Sequence, residues 1–380
     1  MFINFWYPVS ISAELMDKPI RVRALGQHFA VFRDSNGVAQ CVSDVCTHRG
    51  APLSLGKIKG DCIECPYHGW KFSGKGECEA IPSMGVDAKI PARTQIDAYP
   101  VQEKYGFVFA FLGDLAEEER PPIIDIPEYG DDKWRAVHLN FQWKTNFERS
   151  QEAALDPAHA EYVHSGMQFA GDKDDYIIPE LDVVEEEWSA YTKASLYTIG
   201  GEDWKTEGDM KKVKQGSGMT NFHAGYLGPT TAFNRLNIAE DNYFLMFKFE
   251  APIDELNTNV FVVILRNFLR ESEYDEEIIK RSFFVAEEDR IICEPVDPTV
   301  WPETNIKEVL VPADKILSAF RRYLKRWEEQ GWRIDSRKVE QDKGRVAYVV
   351  PSPGRRTSKN WVIDSVPLIP SKKSVRSAAE

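Results

Sequence analysis

The chain has 380 residues, with 47 Lys and Arg against 60 Asp and Glu, for a formal net charge of −13. That balance argues against a general binder of phosphate backbones, while the length is enough for two domains with separate cores. Six cysteines in so long a chain do not make a disulfide framework. The longest notable apolar run, NVFVVIL at residues 259–265, is too short to cross a bilayer, and the opening MFINFWYPVS has no basic segment before a long apolar one. A cytoplasmic protein is therefore expected.

In chain order, residues 6–9, 20–25 and 29–32 read as short strands, with Ser35-Asn36-Gly37 as the turn before another at 38–42. Two loops of matching chemistry follow: Cys46-Thr47-His48-Arg49-Gly50 and Cys65-Pro66-Tyr67-His68-Gly69-Trp70. Each offers one thiolate and one imidazole. Two thiolates on one iron and two imidazoles on the other form the ligand set of a Rieske [2Fe-2S] cluster, whose neutral imidazoles raise its potential. The same donors could hold zinc, but a Cys-x-His pair in both loops is unusual for a zinc finger, and colour would separate the two. Gly50 and Gly69 suit tight loop backbones, and Pro66 stiffens the second loop. Cys41, Cys62, Cys78 and Cys293 read as ordinary small apolar residues. Strands within 99–113 complete an all-β domain. The acidic stretch giving way to PPIIDIPE within residues 117–128 reads as a stiff connector. The expected domains are 1–118 and 119–380, for an α+β chain overall.

After a strand at 134–143, residues 146–166 form a helix-prone segment holding Glu152, Asp156, His159 and His164. In one unbroken helix Asp156 and His159 share a face and Glu152 lies about 20° from His159. His164 falls about 140° further round, so both imidazoles can meet one ion only if the helix ends or widens there. Two imidazoles and a carboxylate form the facial set of non-haem Fe(II); the plain alternative is a pair of surface histidines. Residues 183–199 and 232–269 read as antiparallel strands carrying Phe244, Phe247, Phe249 and Phe261. Between them, the polar, Gly-flanked residues 208–218, with Lys211, Lys212 and Lys214, read as a surface loop or, alternatively, a lid.

The helix expected at 272–292 has Ile278, Ser282, Val285 and Asp289 on one stripe, with Glu287 opposite. A carboxylate on a buried stripe is costly unless paired, and a metal is such a partner. Asp289 is thus the expected third ligand, with Glu288 the alternative. A last helix at 312–330, opened by Pro312 and closed by Gly331, packs Ile316, Phe320, Leu324 and Trp327 inward. Its Arg321, Arg322, Lys325 and Arg326 read as a solvated basic face, or else a docking surface for an acidic electron donor. From residue 351 the chain reads as irregular. No Gly-rich dinucleotide fingerprint is present, so electrons from NAD(P)H must arrive through another protein.

CTHRG, CPYHGW and the later D-x2-H-x4-H together resemble the terminal oxygenase α subunit of the Rieske non-haem iron oxygenases, over most of the chain to about residue 330. The places that hold an extra disulfide pair in the Rieske proteins of cytochrome complexes are Ala51 and Tyr67 here. The resemblance implies a [2Fe-2S] cluster on Cys46, His48, Cys65 and His68, and a catalytic domain with an antiparallel sheet flanked by helices. Mononuclear Fe(II) would sit there on His159, His164 and Asp289, the last in an EED segment similar to that of dicamba and vanillate monooxygenases. It also implies a ferredoxin and/or flavin reductase as electron donor, and O2 and a small organic, aromatic substrate that is hydroxylated or demethylated. A homotrimer is implied as well, as in those members and carbazole dioxygenase, in which Asp156 bridges His159 and the partner subunit's His68. The alternatives are a cis-dihydroxylating dioxygenase and a non-oxygenating Rieske electron-transfer protein. The family pattern usually has Asn where this chain has Ala153. Phe222, His223, Phe233 and Asn234 are the candidate pocket residues.

Overall fold

The computed structural model describes residues 1–164, 177–178, 181–198, 209, 213, 216–239, 241–302 and 307–371. The chain separates into two compact units, Met1–Pro122 with Ala251–Glu255 and Arg326–Glu380, and Ile123–Glu250 with Leu256–Lys325. Residues 211, 212 and 214 of the polar loop, and the tail from residue 372, lie outside the described residues.

The N-terminal part of the first unit is built from eleven short strands: β1 (Phe5–Ile11), β2 (Ile20–Ala24), β3 (Gln27–Arg33), β4 (Ala39–Ser43), β5 (Lys57–Lys59), β6 (Cys62–Glu64), β7 (Lys71–Ser73), β8 (Cys78–Ala80), β9 (Ala98–Tyr99), β10 (Val101–Lys104) and β11 (Phe107–Leu112). They make three sheets, in the orders β1-β11-β10, β2-β3-β4-β9 and β5-β6-β7-β8. The expected turn joins β3 to β4: the Asp34 carboxylate accepts from the backbone N–H of Asn36 and Val38, and Gly37 takes a φ of 78°. Residues from Arg326 onward, grouped above with the second domain, cluster with this unit instead. The ties are long-range. The Ile3 N–H donates to Trp332 O at 2.9 Å, Phe5 packs edge-on against Trp327, the Tyr99 hydroxyl donates to Val350 O at 2.6 Å, and Asp97 accepts from Arg355 and Ser352.

The second unit runs β12 (Arg135–Trp143), α1 (Phe147–Leu155), α2 (His159–Val163), β13 (Val183–Glu185), β14 (Ser189–Thr198), β15 (Gly218–Leu227), β16 (Thr231–Ala239), β17 (Asn242–Pro252), β18 (Thr258–Arg266), α3 (Asp275–Cys293) and α4 (Lys315–Glu329), the last residues of β17 and α4 counting with the first unit. Its strands form a seven-stranded antiparallel sheet in the order β12-β18-β17-β16-β15-β14-β13. No strand was expected at β15, whose glycines weaken the local signal. Gly225 has a packing reason: a Cβ there would come within 2.4 Å of Ala190 O and 2.9 Å of the Phe233 ring, which fills the space.

Helix α3 is set against the sheet at its first residue, where the Asp275 carboxylate accepts from Arg135 of β12 and Arg266 of β18, at 2.5 and 2.7 Å. Ile278, one turn on, is buried. Helix α4 buries Ile316, Phe320, Leu324 and Trp327, as its periodicity requires. Its basic residues do not form one solvated face, however. Arg321 is only 5 % exposed and pairs with Glu152 and Glu308, because an unpaired guanidinium in that position would be costly.

Candidate functional site

The two Cys-x-His loops are the same turn made twice. In the first, Cys46 N donates to Ala51 O and Gly50 N to Cys46 O; in the second, Cys65 N donates to Trp70 O and Gly69 N to Cys65 O. Gly50 and Gly69 sit at φ of 69° and 72°, a left-handed conformation that costs glycine little. Each turn points a thiol inward and leaves an imidazole at the surface. Cys46 and Cys65 are buried in a core cluster with Ala30, Phe32, Leu53, Ile63 and Phe72, whereas His48 and His68 are exposed. The two imidazoles lie with centroids 4.4 Å apart, and the Trp70 indole stacks parallel on His48 at 4.7 Å. Burial pushes the Cys46 thiol up to about 12, so a thiolate there calls for a cationic partner. Two thiols grouped inside and two imidazoles grouped outside fit a [2Fe-2S] cluster with chemically distinct irons.

In the second unit the helix-prone segment divides in two. Asn146 caps α1, its side chain accepting from Glu148 N, and α1 stops at Leu155 because Pro157 disfavours helical geometry at the preceding residue. Asp156 is accordingly extended, at φ −79° and ψ 117°, and its Oδ1 accepts from Ala158 N at 2.7 Å. Asp156 and His159 therefore do not share a helix face, and the helical phase that placed Glu152 near His159 is lost. Glu152 instead faces Arg321 and Arg149, on the other side of α1 from the cavity-lining Ala153 and Ala154. The break, legible in the dipeptide Asp156-Pro157, brings the donors together. Helix α2 ends at Val163, and His164 follows it in a non-helical conformation.

His159, His164 and Asp289 converge, with one ligand atom from each lying within 4.8 Å of the others. Asp289 Oδ1 lies 3.6 Å from Nε2 of His159 and 3.3 Å from Nε2 of His164. The opposite ring nitrogens are anchored. His159 Nδ1 donates to the backbone carbonyl of Asp156 at 2.6 Å, and His164 Nδ1 donates to Glu288 Oε2 at 3.0 Å. Both contacts put the proton on Nδ1 and leave the Nε2 lone pairs facing Asp289. Burial alone would lower the His164 pKa, but the Asp289 and Glu288 carboxylates more than offset it, so the pocket favours positive charge. Glu288, the alternative ligand on sequence grounds, instead accepts from His164 on the side away from Asp289, while Glu287 pairs with Arg290. These donors fit a mononuclear iron, with two neutral imidazoles and a carboxylate on one side.

The trio opens onto a cavity of about 270 Å³ between α1, α2, α3 and the inner face of the sheet. Its exposed wall is mainly apolar, including Phe141, Trp143, Phe244, Met246 and Val285, with Asn234, Lys248 and Arg281 among the polar groups beside the trio. Of the four candidate pocket residues, Phe222 and Asn234 line it. His223 and Phe233, one position along their strands, point to the opposite face. Ile278, Ser282, Val285 and Asp289 all face the cavity. Ala224 and Thr220 of β15 also line it and were missed with their strand.

A cluster-type domain joined to a sheet-and-helix domain with a two-imidazole, one-carboxylate pocket is the donor arrangement of iron-dependent oxidoreductases. Residues 5–100 match the family model of the Rieske [2Fe-2S] domain, and residues 143–330 that of the vanillate O-demethylase oxygenase C-terminal domain. The chain is 37 % identical over 164 residues to a 4beta-methylsterol monooxygenase of Methylococcus capsulatus, a match covering 42 % of this chain and 44 % of that protein. It is 27 % identical over 360 residues to the cholesterol 7-desaturase of Hemicentrotus pulcherrimus, covering 90 % and 72 % of the two. The structure of Pseudomonas putida CBB5 NdmA with caffeine superposes with a TM-score of 0.72 at 23 % identity, covering 85 % of this chain and 90 % of that one. The chain belongs to the Rieske non-haem iron oxygenases. Among the described residues, no helix is long and apolar enough to cross a membrane.

Proposed function

We propose that this chain is a terminal oxygenase that hydroxylates or demethylates a small, largely apolar substrate. The observation that carries the reading is the convergence of His159, His164 and Asp289 at the end of an apolar cavity, in a chain that also holds a Rieske domain. We assign the cluster to Cys46, His48, Cys65 and His68, and the mononuclear iron to His159, His164 and Asp289. When bound, the iron supplies dioxygen activation, with electrons delivered singly by way of the cluster.

The chain's own residues prepare that chemistry. The Asp156 carbonyl and Glu288 hold the Nδ1 protons, so that neither imidazole can turn its Nε2 away from Asp289. Leu139, Phe141, Trp143 and Val285 exclude water and select an apolar substrate, and the Asn234 amide offers an orienting polar contact. A sterol and a methylated purine in the names of the relatives suit such a wall, and attack on a methyl or ring C–H is the reaction class favoured. Without a dinucleotide motif, the chain takes its electrons from a ferredoxin and/or flavin reductase. We further propose a cytoplasmic homotrimer, arranged head to tail, in which Asp156 links His159 to the partner subunit's His68.

Iron analysis tests the assignment. The chain should bind about three irons, two of them in the cluster. His159→Ala should lose one iron and all turnover while keeping the visible spectrum of the cluster. A substrate screen under isotope-labelled dioxygen should give singly oxygenated or demethylated products; a cis-diol would overturn the monooxygenase reading.

A further inference from the structure

The face of the seven-stranded sheet turned away from the metal pocket carries a second cavity, of about 530 Å³. Strand alternation sets the two apart: Thr220, Ala224, Asn234 and Leu236 line the metal pocket and Asn221, His223, Arg235 and Asn237 the second, with Phe222 touching both. The register sets three basic side chains in one row. Lys193 of β14 pairs with His223 of β15, and His223 pairs with Arg235 of β16. Like charges directly opposite one another are unfavourable. In a chain of net charge −13, such a row is a local reversal of sign.

The three residues are not equally satisfied. Arg235 pairs with Glu128 and lies over the Phe247 ring, 5.3 Å from its centroid. His223 Nε2 is buried and has no hydrogen-bond partner among the described residues, which is rare enough for a buried polar atom to need a reason. Lys193 is exposed, its ammonium 5.9 Å from the Tyr191 ring centroid, and makes no ion pair among the described residues. Among the described residues one cation therefore remains uncompensated beside one orphan ring nitrogen, while the second carboxylate oxygen of the Arg235-paired Glu128 is also without a hydrogen bond. Further along the cavity, Trp134 and Tyr243 lie with ring centroids 6.5 Å apart.

We propose that this cavity is a second ligand site, for a small aromatic carboxylate. Lys193 and the Nε2–H of His223 donate to the carboxylate, and the ring lies against Trp134 and Tyr243. A single negative charge matches the single uncompensated cation, so a monoanion is favoured over the more highly charged phosphate. The site is separated from the metal pocket by the thickness of the sheet, and does not depend on the reaction performed there.

Titration calorimetry of the full-length, metal-loaded protein with benzoate tests it, with benzyl alcohol and inorganic phosphate as comparison ligands. The expected result is saturable benzoate binding, weakened about tenfold by Lys193→Gln and similarly by His223→Phe, on the scale of one charge-assisted hydrogen bond. Val285→Phe, which fills the metal pocket, should leave that binding intact. Lys193 is exposed, so its variant tests the site without disturbing a core. No saturable binding, binding unchanged in both Lys193→Gln and His223→Phe, loss in Val285→Phe, or equal affinity for benzyl alcohol or phosphate would each overturn the proposal.

Discussion

His164 Nδ1 donates to Glu288 Oε2 at 3.0 Å, while Nε2 of the same ring lies 3.3 Å from Asp289 Oδ1. Two consecutive residues of α3 thus hold one imidazole from both sides. Only Asp289 belongs to the converging trio, and Glu288 sets the tautomer that lets His164 take part. Removing that support should weaken the metal rather than the fold. Glu288→Ala is expected to lower iron affinity about 10- to 100-fold, with Glu288→Gln intermediate because its amide oxygen still accepts from Nδ1. Chelator competition followed by iron analysis measures this, and the cluster spectrum should stay unchanged in both variants.

Asp156 gives a sharper test of the proposed ring. Its Oδ1 accepts from Ala158 N, a bond that Asn can keep, and its backbone carbonyl rather than its carboxylate holds His159. Asp156→Asn therefore removes charge while preserving local geometry. Full iron content and a normal melting temperature are expected, with single-turnover oxidation of the reduced cluster slowed at least about tenfold. Normal electron transfer in this variant, or an active monomer, would remove the case for a bridge between subunits.

Helix α1 is braced from behind by charge. Arg321 pairs with both Glu152 and Glu308, and Arg149 reaches the same two carboxylates. Replacing Arg321 by Met leaves Glu152, which is only 7 % exposed, with the longer contact to Arg149 alone, and should destabilise the protein by about 1.5–3 kcal/mol in denaturant unfolding. Arg321→Met combined with Glu152→Gln should recover part of that loss. A single-variant effect below about 1 kcal/mol would show that the network does not support the helix.

Asp275 makes the start of α3 sensitive to acid. Burial pushes its carboxyl up, but the hydrogen bonds and charges of Arg135 and Arg266 more than offset this, and it titrates below the ordinary carboxylate range. A carboxyl with a depressed folded pKa contributes stability that is complete above the unfolded value, about pH 4, and lost as pH falls through the folded value. The melting temperature should therefore exceed that of Asp275→Asn near neutral pH, and the gap should narrow steadily as the solution is acidified below about pH 4. A gap that is constant with pH would mean that Asp275 acts through shape alone.

What the sequence determined by itself was what short-range geometry controls. Cys46 and His48, like Cys65 and His68, are held by turns closed within a few residues, and a glycine at positive φ is required in each. The stripe leading to Asp289 follows from helical periodicity, and the motif containing His159 and His164 carries its own helix break in Pro157. What only the tertiary structure decided was which distant partners meet. Glu288 finds His164 across 124 positions and Arg321 finds Glu152 across 169, separations over which no local period carries information. The same holds for the face each strand presents. His223 and Phe233 look as suited to the pocket as Phe222 and Asn234 until the register is known, since a shift of one residue sends a side chain to the other side of the sheet.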